Sequence, residues 1–248
     1  MLSLILFWLF FGLALFQAKQ RQFLRAKPPE DWLLDSLGLC VQGGLIPLMQ
    51  IVLQLQIYQW LCPQTQGCLN LSPWVGLLIS FVGVDYLYYW HHRLLHQKLL
   101  FPIHALHHTV TQMDMVGSAR NTLWSSFFLP YVWVNSIMVF LLEDPRGYAL
   151  GIFLTYFLDL WRHSSLELPQ DSIFYRLLNP WLILPQDHAY HHSQHQAANF
   201  AANLKLWDIL HGTYVKSECN SNVLGIPLDM SVTRKLFWPF PSPLTIKH

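Results

Sequence analysis

The sequence has few charged residues for its length. Of its 248 residues, 12% are Asp, Glu, Lys or Arg and 53% are hydrophobic, whereas an average soluble domain is about 25% charged and about 45–50% apolar. This balance excludes an intrinsically disordered chain, which would combine low hydrophobicity with high charge, and it argues against a soluble globular protein. The net charge of +1 provides no strongly basic surface, so we expect no nucleic-acid partner.

Motifs built on cysteine or glycine are also missing. The four cysteines, at positions 40, 62, 68 and 219, include no Cys-x-x-Cys pair, so neither a cysteine zinc site nor a disulfide framework is indicated. Cys62 and Cys68 could form a disulfide only if their loop faces an oxidising compartment. The chain has no Gly-x-Gly-x-x-Gly before a helix, no Cys-x-x-Cys-His haem motif and no ferredoxin-like cysteine spacing.

Four long stretches lack charge and are candidates for membrane-embedded helices. They are residues 1–18, 36–84, 121–142 and 147–158. A membrane-spanning helix needs about 20 apolar residues. Residues 1–18 are followed, not preceded, by Lys and Arg. This favours a retained anchor over a signal peptide and places its C-terminal end in the cytoplasm.

Turn residues divide the later stretches into helices. The polar segment 62–67 interrupts one stretch, and Glu143-Asp-Pro-Arg146 lies between two others. The predicted helices cover residues near 38–61, 71–90, 121–142 and 147–161. Because the last of these is short, the final pair is either a hairpin that dips into the membrane or two ordinary spans, and the sequence leaves both readings open.

These features predict an all-α integral membrane protein, a bundle of about four to five membrane-embedded helices with a helical, histidine-rich cytoplasmic cap. We expect residues 1–248 to form a single domain. Its predicted parts are transmembrane helices (1–90), the first histidine clusters (91–120), the membrane hairpin (121–162) and the cap with the last histidine cluster (163–248). The basic segment Lys19–Lys27 is expected in the cytoplasm, the loop 62–70 outside, and Arg93 and Lys98 again in the cytoplasm. The chain is therefore predicted to be multi-pass, in a bacterial inner membrane or the endoplasmic reticulum.

Histidine is abundant where charge is scarce. None of the 13 histidines lies in the first 90 residues, and nine follow in three clusters and one single position. They are His92 and His96, then His104, His107 and His108, then the single His163, then His188, His191 and His192. Spacings of three and four residues place such side chains on one face of a helix.

Neutral imidazole is a common ligand for iron, zinc, copper and nickel. Nine ligands are too many for one metal, since a catalytic zinc commonly takes three, so we predict two metal ions held by these nine residues. The predicted topology places all nine on the cytoplasmic side. The other four histidines are predicted to be bystanders: His91, His195, His211 and His248.

Acidic residues close to the clusters are candidates for orienting the imidazoles. A carboxylate that accepts the second ring N–H fixes the orientation of a metal-bound histidine. The candidates for this supporting role are four acids, Asp85, Asp159, Asp187 and Asp208, together with the side-chain amide of Asn199.

The motif order resembles that of the fatty acid hydroxylase/sterol desaturase superfamily. His-x-x-x-His, His-x-x-His-His, a solitary His and a second His-x-x-His-His follow one another. Asn199-Phe-Ala and Leu206-Trp-Asp-Ile-Leu-His-Gly-Thr-Tyr214 resemble the closing segment of that family. Ala201 stands where Gly is usual and His211 where Phe is usual. The resemblance covers about residues 75–215.

The resemblance implies a non-haem di-iron centre that uses O2 and two electrons to hydroxylate or desaturate an unactivated C–H bond of a lipid. The substrate would be a fatty acyl chain, a sterol or a related lipid from the membrane. A separate reductase, ferredoxin or cytochrome b5-type protein would supply the electrons. The alternative is a histidine-rich membrane protein that binds or transports metal without oxygenase activity.

Overall fold

The computed structural model describes residues 8–9, 12, 15–194, 197–216 and 223–240. Its α-helices are α1 (Ala18–Ala26), α2 (Pro29–Leu61), α3 (73–95), α4 (Phe101–Ala105), α5 (Pro130–Leu141), α6 (Arg146–Arg162), α7 (Ile173–Leu178), α8 (Pro185–His191), α9 (Leu206–Leu210) and α10 (Val232–Phe237). Strand-like pairing within these ranges is limited to isolated bridges such as Leu182 with Leu204. The predicted all-α class is therefore confirmed.

Helix α2 is the one helix in the described ranges that is long and apolar enough to cross a membrane. It has 33 residues and includes π-helical turns at Val41–Leu45 and Leu53–Tyr58. The sequence predicted its start near residue 38, but it begins at Pro29, and Glu30 and Asp31 occupy its first turn. Pro at the first helical position and acids in the first turn both favour a helix start.

The prediction missed this start because it placed the helix only in the uncharged stretch that begins at residue 36. The charged side chain of Asp35 is nevertheless part of the helix, since it is buried and paired. Arg120 donates to Asp35 from Nε at 2.5 Å and from Nη2 at 3.1 Å. Lys27 bridges Asp35 at 2.5 Å and Asp114 at 2.9 Å. Arg120 also donates to the Thr109 hydroxyl at 3.2 Å. This network attaches α2 to the segment that carries the first His-x-x-His-His motif.

Helices α3 and α6 pack closely because glycines remove the side chains between them. A Cβ atom at Gly147 would overlap the backbone of Pro73, and one at Gly151 would lie 2.6 Å from the Cβ of Ser80. The close pairing sets the relative positions of the C-terminal ends of these helices. His92 and His96 lie at the end of α3, and His163 directly follows α6.

The predicted helix over 121–142 is partly wrong. Leu123–Phe128 is a 3₁₀ helix, and α5 begins only at Pro130, after Leu129 in an extended conformation. A residue before proline disfavours the helical region, so Pro130 separates the two elements. At about 1.5 Å per residue, the 12 residues of α5 are shorter than a full span. The number of embedded helices stays a prediction.

The described residues include only part of the segments on which the remaining fold predictions were made. Most of the predicted N-terminal anchor, residues 1–18, lies outside the described ranges. Cys62 and Cys68 are both free thiols. In the described part of residues 163–248 the longest helix is α8, with seven residues. The cytoplasmic position of this region stays a prediction.

The ion pairs of Asp35 lead to a prediction about stability. Asp35→Ala leaves Arg120 and Lys27 buried without one of their partners, and removing one member of a buried ion pair costs about 3–5 kcal/mol. We expect a clearly lower thermal midpoint for the purified protein in detergent. Asp144→Ala, which breaks the exposed pair with Arg146, should leave the midpoint unchanged. Equal midpoints for the two variants would contradict the role assigned to Asp35.

Candidate metal centre

Five histidines from four segments form the first group of imidazoles. They are His92, His96, His104, His108 and His191, and one ring nitrogen of each lies within 4.8 Å of the others. Helix α3 supplies two of them, α4 and the following 3₁₀ turn supply two, and α8 supplies the fifth. The Nε2 atoms of His92 and His104 are 2.9 Å apart, and those of His96 and His108 are 3.2 Å apart.

Four further histidines form the second group beside the first. They are His107, His163, His188 and His192, again with one ring nitrogen of each within 4.8 Å of the others. His188 Nε2 lies 2.9 Å from His163 Nε2 and 3.2 Å from His192 Nε2. The rings of His108 and His192 are 4.7 Å apart across the two groups.

The structure thus brings together all nine histidines selected from the sequence and divides them into sets of five and four. Each adjacent His-His pair is split between the groups: His107 and His192 lie in the second, while His108 and His191 lie in the first. Consecutive residues on a helical turn point in different directions, so one short motif can supply both groups.

Burial favours the neutral form for most of these imidazoles. Eight are at most 7% exposed, and only His96 is more accessible. Burial, reinforced by neighbouring imidazoles, lowers the pKa well below its usual value for His104, His107, His108, His188 and His192. Burial lowers the pKa of His191 to about 4. Neutral rings keep a lone pair free for a metal.

The hydrogen bonds of His191 fit a cation in the first group. Its Nδ1–H donates to the Ala198 carbonyl oxygen, and in the described part of the chain its Nε2 is buried without a hydrogen-bond partner. A buried polar atom without a partner costs about 1–3 kcal/mol, and a cation bound by the first group would remove that cost for His191 Nε2. An all-imidazole donor set suits iron, copper or zinc better than magnesium or calcium.

Backbone carbonyl groups orient three of the rings from behind. The Nδ1–H groups of His92 and His191 donate to the carbonyl oxygens of Phe200 and Ala198, each at 2.7 Å. His163 Nδ1 donates to the carbonyl oxygen of Asp159 at 2.8 Å. Each bond leaves Nε2 of the ring as the free ligand atom. The sequence analysis missed these partners because a carbonyl group has no residue-specific signal.

Asp208 and Asp85 bind backbone amides, not the second imidazole nitrogens as the sequence suggested. Asp208 accepts hydrogen bonds from the amides of Phe200 and Ala201, both at 2.8 Å, and from the Thr213 hydroxyl at 2.7 Å. Asp85 accepts from the amides of Asn203 and Leu204 and from the Trp207 indole. Both carboxylates therefore act one step behind the imidazoles, by holding the loop 199–205 that carries the Phe200 carbonyl.

Asp187 and Asn199 likewise shape the backbone around α8. Asp187 accepts from the Leu184 amide at 2.9 Å and pairs with the buried Lys205 ammonium at 2.8 Å. Asn199 has a φ of 57°, a left-handed conformation that Asn tolerates better than most residues. Its side-chain amide donates to the carbonyl oxygen of Asp187 at 3.1 Å. Among the candidate acids, only Asp159 approaches an imidazole, 3.4 Å from His163 Nδ1.

Two of the predicted bystanders, His91 and His211, and the departure from the family motif at Ala201 lie outside both groups. His91 belongs to neither group, and His211 stacks on Tyr89 with ring centroids 5.0 Å apart. His195 and His248 fall outside the described residues. Ala201, which replaces the usual Gly, is buried beside Tyr89. Its methyl side chain cannot form a hydrogen bond with the histidines.

Comparisons with known proteins agree with this arrangement. The family model described as fatty acid hydroxylase matches residues 77–213. The chain is 26% identical to the human alkylglycerol monooxygenase over 88% of its own length and 48% of the relative's. It is 32% identical to an ornithine lipid hydroxylase of Rhizobium tropici over 56% of its length and 40% of the relative's. The chain thus spans less than half of these relatives. No solved structure matches it.

The bonds of Asp208 lead to a second prediction. In Asp208→Asn one side-chain position becomes an N–H donor that faces a backbone N–H, so at least one hydrogen bond is lost in a buried place, at a cost of about 1–3 kcal/mol. We expect the thermal midpoint in detergent to fall by several degrees. Asp171→Asn, at an exposed position, is the matched control. An unchanged midpoint for Asp208→Asn would show that this carboxylate does not hold the loop.

Proposed function

Because the chain belongs to the fatty acid hydroxylase family, we propose that it is a membrane-bound, non-haem di-iron oxidoreductase. It would use O2 and two external electrons to hydroxylate or desaturate a C–H bond of a lipid. The observation that carries this proposal is the division of nine imidazoles, eight of them buried, into two adjacent groups. Two groups of neutral nitrogen ligands match two iron ions better than a single structural metal.

Each histidine has a definite place in the proposal. The first iron would be held by His92, His96, His104, His108 and His191, and the second by His107, His163, His188 and His192. When bound, the two ions supply the redox chemistry for oxidising an unactivated C–H bond with O2, which no amino-acid side chain can perform. The protein contributes position, access and electrostatics.

The surrounding residues prepare the site for this chemistry. Burial excludes water from eight of the nine imidazoles. Carbonyl groups of Ala198, Phe200 and Asp159 fix which ring nitrogen is free. The ion pair of Asp187 with Lys205 and the bonds of Asp208 keep that backbone in place. These contacts pre-organise the ligands, which limits reorganisation when the metals bind.

A lipid substrate agrees with the apolar helices next to the histidines. Helix α2 exposes large apolar side chains, among them Leu48 and Leu55, as expected for a surface in contact with lipid. The relatives named above act on an alkylglycerol and an ornithine lipid according to their names, so we propose a lipid with a polar head group. We further propose that the protein is multi-pass, with the histidines facing the cytoplasm.

The electrons would come from a separate protein. The sequence carries no motif for a flavin, haem or iron–sulfur group. We therefore propose that a reductase, a ferredoxin or a cytochrome b5-type carrier docks on the side of the histidines and supplies two electrons for each turnover.

Metal analysis of single-histidine variants tests the assignment of ligands. Purified wild-type protein should contain two iron ions per chain, measured by inductively coupled plasma mass spectrometry. His104→Ala removes a ligand of the first group and His188→Ala one of the second, so each should lower the iron content to about one or less and reduce turnover below detection. His91→Ala, at a neighbouring position outside both groups, should keep two. Two iron ions and normal activity in both ligand variants would overturn the assignment.

Isotope labelling tests the reaction itself. Membranes from cells that express the wild type should, under ¹⁸O2, yield lipids heavier by one ¹⁸O atom or lighter by two hydrogens. Membranes with His104→Ala should yield neither. Two iron ions per chain without any O2-dependent change in lipid mass would instead support the alternative of metal binding or transport without oxygenase activity.

A further inference from the structure

A small set of polar side chains lies one helical turn before two of the histidines. Tyr88 precedes His92 by four residues on α3, and Asp159 precedes His163 by four residues at the end of α6. The rings of Tyr88 and His92 are 5.2 Å apart. One helical turn is about 5.4 Å long, so both polar side chains lie just beyond the imidazoles, toward the uncharged parts of their helices.

Tyr131 completes this set from a third helix. It is the second residue of α5, and its ring lies 5.8 Å from that of Tyr88. The charges of Asp159 and Arg162 act on both tyrosine hydroxyls. Arg162 donates to the Asp159 carboxylate and to the carbonyl oxygen of Ala202. The site described above uses neither tyrosine.

Several polar atoms of this set have no partner. In the described part of the chain, the hydroxyls of Tyr88 and Tyr131 form no hydrogen bond, and Nε of Arg162 is buried without one. The Asp159 side chain is 29% exposed, while that of His163 next to it is 4% exposed. A partly exposed carboxylate and two half-buried tyrosines thus lie beside the buried imidazoles of His163 and His92. In apolar surroundings such groups call for a polar ligand.

We propose that Tyr88, Tyr131 and Asp159 form a subsite for a hydroxyl group of the lipid substrate, close to the carbon that is oxidised. This inference rests on the proposed function. A tyrosine O–H can donate to the substrate oxygen, and a carboxylate can accept the substrate O–H. A hydroxyl group satisfies both, whereas a plain alkyl segment satisfies neither. The protein would therefore oxidise its lipid near the polar end of the molecule and not far along an alkyl chain.

A binding experiment without turnover tests the subsite. The probe is tritiated 1-hexadecanol, bound to immobilised full-length, iron-loaded protein in detergent in the absence of O2 and detected by scintillation proximity. Unlabelled hexadecane is the competitor that has the same chain and no hydroxyl. Tyr88→Phe and Tyr131→Phe should each raise the Kd for hexadecanol about three- to tenfold, as expected for one neutral hydrogen bond. The competition constant of hexadecane should stay unchanged.

Tyr58→Phe is the matched control. Tyr58 is a half-buried tyrosine on α2 that packs on Phe140, and its variant should bind both ligands as the wild type does. Unchanged hexadecanol binding in Tyr88→Phe and Tyr131→Phe, or equal weakening of alcohol and alkane, would overturn the subsite. Tyrosine-dependent binding in a protein that never oxidises lipid would overturn the oxygenase proposal and leave the subsite standing. Lipid oxidation together with hexadecanol binding that is unchanged in both tyrosine variants would support the oxygenase proposal and overturn the subsite.

Discussion

The hydrogen bonds between buried imidazole rings and backbone carbonyl groups are the interactions on which the site depends. A buried imidazole that lacks a second partner can turn or change its tautomer, and its ligand atom would then be lost. The carbonyl groups of Phe200 and Ala198 prevent this for His92 and His191. Because a carbonyl oxygen only accepts, the bonded nitrogen must carry the proton and the other nitrogen must be free.

The few charges of the protein are used to hold the segments that carry these histidines. Asp35 pairs with Arg120 behind the first His-x-x-His-His motif, and Asp187 pairs with Lys205 behind the second. Buried ion pairs add little net stability. They strongly destabilise any arrangement of the backbone that separates the two partners, because each partner would then stay charged and buried. A sequence with 12% charged residues thus concentrates several of them in two networks that fix the backbone of the site.

The histidine set was accessible from the sequence because helical spacing is a local signal. Spacings of three and four residues identified eight of the nine rings that the structure brings together, and the ninth, His163, was selected as the solitary histidine in the motif order. The start of α2 and the roles of the acids were not accessible, because they depend on partners far along the chain. Asp35 and Arg120 are 85 residues apart, and Asp85 and Asn203 are 118 residues apart. The split of each His-His pair between two groups also requires the packing of α3, α6 and α8.

The indirect position of the acids has a physical reason. A carboxylate in contact with a metal-free imidazole favours the protonated ring, and that proton must leave before a metal can bind. Asp85 and Asp208 avoid this effect by binding backbone amides and acting on the rings only through the loop they hold. Asp159 does approach His163, but its charge is shared with Arg162. The arrangement therefore orients the imidazoles through backbone groups that carry no charge.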